Sequence, residues 1–78
     1  MPGKKRTRDE REIIFLGALM GLTRGAVNDK LAQYNYRPVP ISSFAMVEKK
    51  YVPALRKHPE LYNKWLDNPP SAAGIPKD

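Results

Sequence analysis

The 78-residue chain contains no cysteine and no long uninterrupted apolar run. Without cysteine it can form neither a disulfide nor a thiolate metal site, so a zinc finger is excluded. The longest apolar stretch, IIFLGALMGL at residues 13–22, is shorter than the roughly 20 residues of a membrane-spanning helix. The acidic residues just before it are atypical of a signal peptide. We expect no membrane contact and an intracellular location, in the nucleus of a eukaryote or in the cytoplasm of a bacterium or phage host.

Residues suited to catalysis are also scarce. His58 is the sole histidine and precedes a proline, which is typical of a loop. The carboxylates are scattered, the serines have no base at a recognisable spacing, and no glycine-rich phosphate loop is present. We therefore predict a protein that is not an enzyme, with no cofactor, no metal site and no small-molecule substrate.

Positive charge is concentrated near the N-terminus. The formal net charge is +6, and four cations lie close together at Lys4, Lys5, Arg6 and Arg8. An excess of cations favours an acidic partner, most often nucleic acid. Composition predicts a flexible basic arm at residues 1–6, a helical domain at residues 7–68 and a flexible tail at residues 69–78.

Two helices are predicted in the first half of the domain. Thr7 and Glu10 have the spacing of a capping box, so the first helix is expected to begin near Arg8 and to run to about Met20. Its buried stripe is predicted to contain Ile13, Leu16 and Met20, widened by Phe15 and Leu19. The second helix is predicted at residues 24–34 after an N-cap at Thr23, with an inward face of Ala26, Val27, Leu31 and Tyr34.

Two further helices are predicted after the proline-rich link at residues 34–40. Ser42 or Ser43 is expected to cap the third helix, which would stop or kink near Tyr51–Val52 because Pro53 lacks an N–H donor. Its inward face is predicted to be Phe44, Val47 and Tyr51. The fourth helix is predicted at residues 59–68, with a broad face of Leu61, Tyr62, Trp65 and Leu66. The fold class is thus all-α, a three-helix helix-turn-helix-type bundle with an additional C-terminal helix.

The junction between the first two helices has the features of a helix-turn-helix. Gly17 is small enough for close helix approach, Gly21 allows a left-handed turn, and Val27 can hold the second helix onto the first. Residues 7–56 resemble a tri-helical helix-turn-helix domain of the Myb/SANT-like kind, on the segments TRDEREIIFLGALM, GLTRGAVNDKLA and SSFAMVEKKYVPAL. The chain differs from that family in lacking regularly spaced tryptophans and in its long link before the third helix.

The resemblance implies that the third helix enters the major groove of DNA. The predicted contacts on that helix are Ser42, Ser43, Met46, Lys49 and Lys50. If the second helix were the recognition helix instead, Arg24 and Asn28 would read the bases, and Arg37 could hold a phosphate in either mode. The arm residues Lys4, Lys5, Arg6 and Arg8 could follow phosphates or enter the minor groove. The alternatives are a solubilising or localising arm and an ordinary solvated face at Lys49 and Lys50.

We therefore expect a non-catalytic module that binds double-stranded DNA, as a transcriptional regulator or chromatin-type factor. The alternative is a protein-interaction module for dimerisation or for an adaptor role, with Tyr62 and Trp65 as exposed anchors on the fourth helix. A homodimer or a protein partner is compatible with both. The fourth helix could instead act only as a lid over the core, which is the interpretation that we favour.

Overall fold

The structure, a computed structural model, describes residues 6–75, except for the side chain of Ala72. The elements are α1 (Arg8–Leu19), α2 (Arg24–Gln33), α3 (Ile41–Met46), a π-helical turn (Val47–Tyr51), α4 (Val52–Lys57), a 3₁₀ turn (Pro59–Leu61), α5 (Tyr62–Asp67) and a second 3₁₀ turn (Ala72–Gly74). α3, the π turn and α4 follow one another without a break and form the third helix; α5 is the fourth. The predicted all-α fold is confirmed, and residues 6–75 contain no strand.

The two ends of α1 are formed as the sequence predicts. The Glu10 backbone N–H donates to the Thr7 hydroxyl, at 3.3 Å, and the Thr7 N–H donates to the Glu10 carboxylate, at 3.2 Å. This pair of bonds is a complete capping box. At the other end, Gly21 has a φ of +79° and the Leu22 N–H donates to the Gly17 carbonyl at 2.9 Å. These are the features of a Schellman motif, which turns the chain toward α2.

Helices α1 and α2 pack closely at Gly17. A Cβ built on Gly17 would lie 2.6 Å from Cγ2 of Val27, which is closer than real contacts allow. Val27 and Leu31 are both fully buried, so α2 contributes two of the most enclosed side chains of the core. The predicted roles of Gly17 and Val27 in this junction are confirmed.

The end of α2 depends on a residue that the sequence analysis did not single out. Asn35 adopts a left-handed backbone with φ 60°, and the Tyr36 N–H donates to the Leu31 carbonyl at 2.9 Å. This is again a Schellman closure, with asparagine in the place that glycine usually takes. The prediction that Tyr34 faces the core is wrong, because Tyr34 is 62% exposed and stacks on Tyr36 instead.

The buried face of α1 also differs from the predicted stripe. Ile14, Phe15 and Ala18 are in the core, whereas Leu16 is 46% exposed and Met20 is 68% exposed. Glu10 is buried on the same face, one turn before Ile14. Because residues 13–19 of α1 are uninterruptedly apolar, periodicity could not decide between the two faces. The buried side also carries the charged residue Glu10, which an apolar pattern does not indicate.

The third helix begins differently from the prediction, and of the stop or kink predicted near Tyr51–Val52 the stop does not occur. Its N-cap is Pro40, without a side-chain cap, so neither Ser42 nor Ser43 caps it. The helix does not stop at Tyr51–Val52. Instead, the Val52 N–H donates to the Val47 carbonyl, one residue farther back than in an α-helix, and α4 then includes Pro53. The wider turn accommodates a proline that cannot donate a helical hydrogen bond.

Aromatic side chains join α1, the third helix and α5 at the centre of the core. The rings of Phe15 and Tyr51 are 5.4 Å apart, and Trp65 meets Tyr51 edge to face at 5.6 Å. Phe44, Val47 and Tyr51 are buried as predicted. Trp65 is only 4% exposed and Leu66 is fully buried, so α5 is a lid on the core.

The chain after α5 folds back onto the domain. The Tyr51 hydroxyl donates to the Pro70 carbonyl at 2.5 Å, and Ile75 packs against the core. The folded unit therefore extends beyond residue 68, where the sequence predicted a tail to begin. In the described part of the chain, no helix is long and apolar enough to cross a lipid bilayer.

Replacing Gly17 with alanine should destabilise the fold. The new methyl group would overlap Val27, and we expect the overpacking to exceed the helix-propensity gain, with a net loss of about 1–2 kcal/mol. Urea unfolding measures the change in the free energy of unfolding. Gly25→Ala is the matched control, because its nearest neighbour would be the Thr23 hydroxyl at 3.9 Å. Equal effects of the two substitutions would contradict a close contact at Gly17.

Candidate nucleic-acid interface and adjacent groove

The outer face of the third helix carries the residues that were predicted to contact DNA. We define the recognition face as Ser42, Ser43, Met46, Lys49 and Lys50, all of which are exposed. Neither lysine forms a hydrogen bond or an ion pair with any part of the chain that the structure describes. The opposite side of the same helix is buried in the core. The recognition face is therefore held in place by the packing behind it and presents two available cations.

The second helix uses its predicted base readers for folding. The side-chain oxygen of Asn28 accepts the backbone N–H of Val39 at 2.7 Å, and its amide nitrogen donates to the Val39 carbonyl at 3.4 Å. Arg24 donates to the same carbonyl at 3.3 Å. Val39 is buried, so these bonds satisfy a backbone that has no helical partner. Asn28 and Arg24 thus anchor the link before α3.

Arg6 is also engaged within the domain. Its guanidinium donates to the carbonyls of Arg37 and Pro38, at 2.8 and 2.7 Å, and forms an ion pair with Glu10 at 2.9 Å. Arg6, which was predicted to belong to a flexible arm, is therefore part of the folded unit. Lys4 and Lys5 lie outside the described residues.

Arg8 and Arg37, two other predicted DNA contacts, lie in different parts of the fold. Arg8 pairs with Asp67 at 2.9 Å and reaches Asn63 at 3.4 Å, so it links α1 to α5. Arg37 is exposed in the link between α2 and α3, where its carbonyl accepts from Arg6. Of the four predicted cations of the N-terminal region, Arg6 and Arg8 have partners in the fold.

Arg11 is a central residue that the sequence analysis missed. Its guanidinium donates to the carbonyls of Leu66 and Asp67, at 2.5 and 3.1 Å, and also to the Arg6 carbonyl. The first two carbonyls belong to the last turn of α5, where a cation is favoured by the helix dipole. The signal was its position at helical spacing from Ile14, Phe15 and Ala18, which places it beside the buried face of α1.

The pKa of Glu10 is held below its ordinary value of 4.5. Burial opposes ionisation of this carboxyl, but the Thr7 backbone N–H and the Arg6 guanidinium both favour the carboxylate and outweigh it. The ionised Glu10 therefore serves two purposes, because it completes the cap of α1 and fixes Arg6 against the link.

A groove of about 440 Å³ borders the recognition face. We call it the α1–α3 groove. Ser43 and Met46 of the recognition face line one side, Arg6 and Arg11 of the α1 region line another, and the segment at residues 67–69 closes a third. Its apolar lining is formed by Ile14, Phe15, Val39, Val47 and Tyr51. The structure thus brings three of the predicted site residues together with Arg11 in one concave surface.

The residues predicted to anchor a protein partner do not form an exposed aromatic patch. Trp65 lies in the core, and its ring is enclosed against Tyr51. Tyr62 is half-buried and packs against the same core. The prediction of an exposed Trp65 is therefore wrong for the folded chain, because the small core needs the indole to fill it. Residues 6–75 also contain no group of three histidine, aspartate or glutamate side chains placed to hold a metal ion.

Replacing Asn28 with alanine should destabilise the protein, since it leaves the buried Val39 N–H without a partner. We expect a loss of about 1–3 kcal/mol in the free energy of unfolding. Gln33→Ala, on an exposed part of the same helix, should change this value by less than about 0.5 kcal/mol. Chemical denaturation of both variants checks the expectation. An Asn28 variant as stable as the wild type would exclude the anchoring role.

The Glu10→Gln substitution should have a pH-dependent effect. Because the folded pKa lies below 4.5, the ionised carboxylate stabilises the fold at neutral pH, and this contribution disappears as the pH falls through the folded pKa. The variant should lose about 1 kcal/mol or more of unfolding free energy at pH 7, and the difference should shrink below pH 4.5. Unfolding curves across pH measure it. Glu12→Gln serves as the control in the same helix, and a difference that stayed constant with pH would refute the carboxylate's role.

Comparison with known proteins identifies no relative. No protein-family model, no curated protein sequence and no solved structure significantly matches this chain. Arguments about function therefore rest on the recognition face, on the α1–α3 groove and on the sequence pattern.

Proposed function

We propose that the protein is a non-catalytic module that binds double-stranded DNA through the recognition face of the third helix. The observation that carries the proposal is the combination of exposed Ser42, Ser43 and Met46 with two lysines that have no partner in the described structure. A helix that is buried on one side and polar and basic on the other is suited to the major groove. The role would be that of a small transcriptional or chromatin-type regulator, as in the Myb/SANT-like domains that the sequence resembles.

The positions of the other candidates favour the third helix over the second. In α2, Arg24 and Asn28 are bound to Val39, and the exposed charges Asp29 and Lys30 cancel. Because Arg24 and Asn28 are engaged in these bonds, α2 offers few side chains that could contact DNA bases and recognise a sequence. The recognition face has a net positive charge even when the exposed Glu48 is included.

Phosphate contacts would come from a smaller set of residues than the sequence suggested. Arg6 and Arg8 have intramolecular partners that DNA would have to displace or share. Lys49 and Lys50 have none among residues 6–75, and Lys4 and Lys5 retain the role that the sequence predicts for them. The protein should therefore bind DNA weakly as a monomer, with a shallower salt dependence than contacts from all of the predicted cations would give.

If the protein binds another protein instead of DNA, the contact surface is not the one predicted at Tyr62 and Trp65. Trp65 and Tyr62 are enclosed or half-enclosed, but Leu16 of α1 and Met20, the C-cap of that helix, are exposed one turn apart. Exposed large apolar side chains at such spacing favour contact with another protein. This surface would become the leading candidate if DNA binding failed the following test.

The double substitution Lys49→Ala and Lys50→Ala should weaken DNA binding. Fluorescence anisotropy with a labelled duplex at several salt concentrations measures both the affinity and its salt slope. If both lysines contact phosphates, the slope of log affinity against log salt should become shallower by about 1.8. The affinity at low salt should fall by at least about tenfold, which corresponds to about 1.4 kcal/mol.

The matched control is Lys30→Ala with Lys64→Ala. It removes the same charge from exposed positions on α2 and α5, away from the recognition face. An equal loss of binding in this control would show that only net charge matters, and the specific role of the third helix would be rejected. The absence of any DNA binding by the full chain would reject the proposed function altogether.

A further inference from the structure

We propose that the α1–α3 groove is a binding site for a small amphipathic anion, a molecule with a compact apolar body and one carboxylate or sulfonate group. The inference does not depend on DNA binding. It rests on the size of the groove, on the apolar character of its lining and on the charge of Arg11.

The groove has the dimensions of a small-molecule site. Its volume of about 440 Å³ lies within the roughly 300–1,000 Å³ that is usual for ligand pockets. Four separate parts of the chain form its walls, namely residues 6–15, Val39 of the link, the third helix and the segment at residues 67–69.

The lining favours an apolar body. The rings of Phe15 and Tyr51 and the side chains of Ile14, Val39 and Val47 line the groove. Met46 lines the groove and is 40% exposed. Its flexible thioether can adapt to ligands of different shapes. Because the other apolar side chains of the lining are at most 9% exposed, binding would remove chiefly the surface of Met46 from water.

The charge at the rim favours an anion. Around the groove, the carboxylates of Glu10 and Asp67 each have a guanidinium partner at 2.9 Å, in Arg6 and Arg8 respectively. Arg11 has no carboxylate partner in the described chain, and its bonds all go to carbonyl oxygens. Its positive charge is therefore not neutralised, although it lies against an apolar surface, where an anion would be attracted more strongly than in open water.

Arg11 is also held in position before a ligand arrives. Three of its nitrogen atoms donate to the carbonyls of Leu66, Asp67 and Arg6, which fix the plane of the guanidinium. Each terminal nitrogen carries a second N–H that these bonds do not use. A carboxylate or sulfonate can accept charge-assisted hydrogen bonds from such donors without a large loss of side-chain entropy.

The test uses two naphthalene dyes that differ in charge. Anilinonaphthalene sulfonate has an apolar body and one anionic group, and N-phenyl-1-naphthylamine is its uncharged counterpart. We expect the sulfonate to bind the folded full-length chain in a one-to-one complex. The uncharged dye should bind at least about tenfold more weakly, as expected when a charge-assisted hydrogen bond is lost. Fluorescence titration without DNA measures both affinities.

A pair of adjacent serines provides a matched test of location. Ser43 lines the groove, whereas Ser42 is exposed on the same helix and does not line it. Ser43→Trp should obstruct the groove and weaken sulfonate binding by at least about tenfold, and Ser42→Trp should leave it within about twofold. Circular dichroism and thermal unfolding show whether each variant remains folded. If Ser43→Trp does not fold, Met46→Glu provides the second variant, because its carboxylate would repel the anion.

Three results would overturn the proposal. Equal affinities for the charged and uncharged dyes would show that the anion is not recognised. Equal effects of the Ser42 and Ser43 substitutions would place the dye elsewhere on the protein. Binding of several sulfonate molecules per chain would indicate general apolar exposure and not a defined site. None of these measurements contains DNA, so failure of this inference and failure of the proposed function are distinguishable.

Discussion

The domain depends on arginine side chains that donate to backbone carbonyls far away in the sequence. Arg6 and Arg24 secure the link before α3, Arg11 closes the end of α5, and Arg56 reaches the Leu19 carbonyl at the end of α1. Several elements of this chain are only six residues long or shorter, and such short helices are marginal without tertiary support. A planar guanidinium can satisfy several carbonyls at once, so one side chain can replace hydrogen bonds that the irregular segments lack.

Arginine and lysine therefore differ in how far they are engaged within the fold. The arginines at positions 6, 8, 11, 24 and 56 all have intramolecular partners. Lys49 and Lys50 are exposed on the third helix and have no partner among residues 6–75. The high net charge therefore overstates the charge that is freely available to an external ligand. Any nucleic-acid contact should depend chiefly on lysines, and the uncompensated charge of Arg11 distinguishes the groove from the rest of the surface.

The recognition face and the α1–α3 groove share Ser43 and Met46 because both surfaces are supported by the same packing. Phe15, Tyr51 and Trp65 form the aromatic centre that positions the third helix against α1 and α5. The π turn lets that helix continue past Pro53, which extends the outer surface through α4. An irregular backbone inside the helix thus increases the length of the rigid element that carries the candidate sites.

The sequence by itself determined the features that depend on neighbouring residues. The capping box at Thr7, the left-handed Gly21 and the close contact at Gly17 all follow from local spacing or from residue size. It also identified the third helix as the one with an exposed basic face. The buried face of α1, the use of Arg24 and Asn28 as anchors, and the groove beside Arg11 were decided only by the tertiary structure. Each depends on contacts between residues that are distant in the chain, such as Arg11 with Leu66 or Asn28 with Val39, and periodicity along one helix carries no information about such partners.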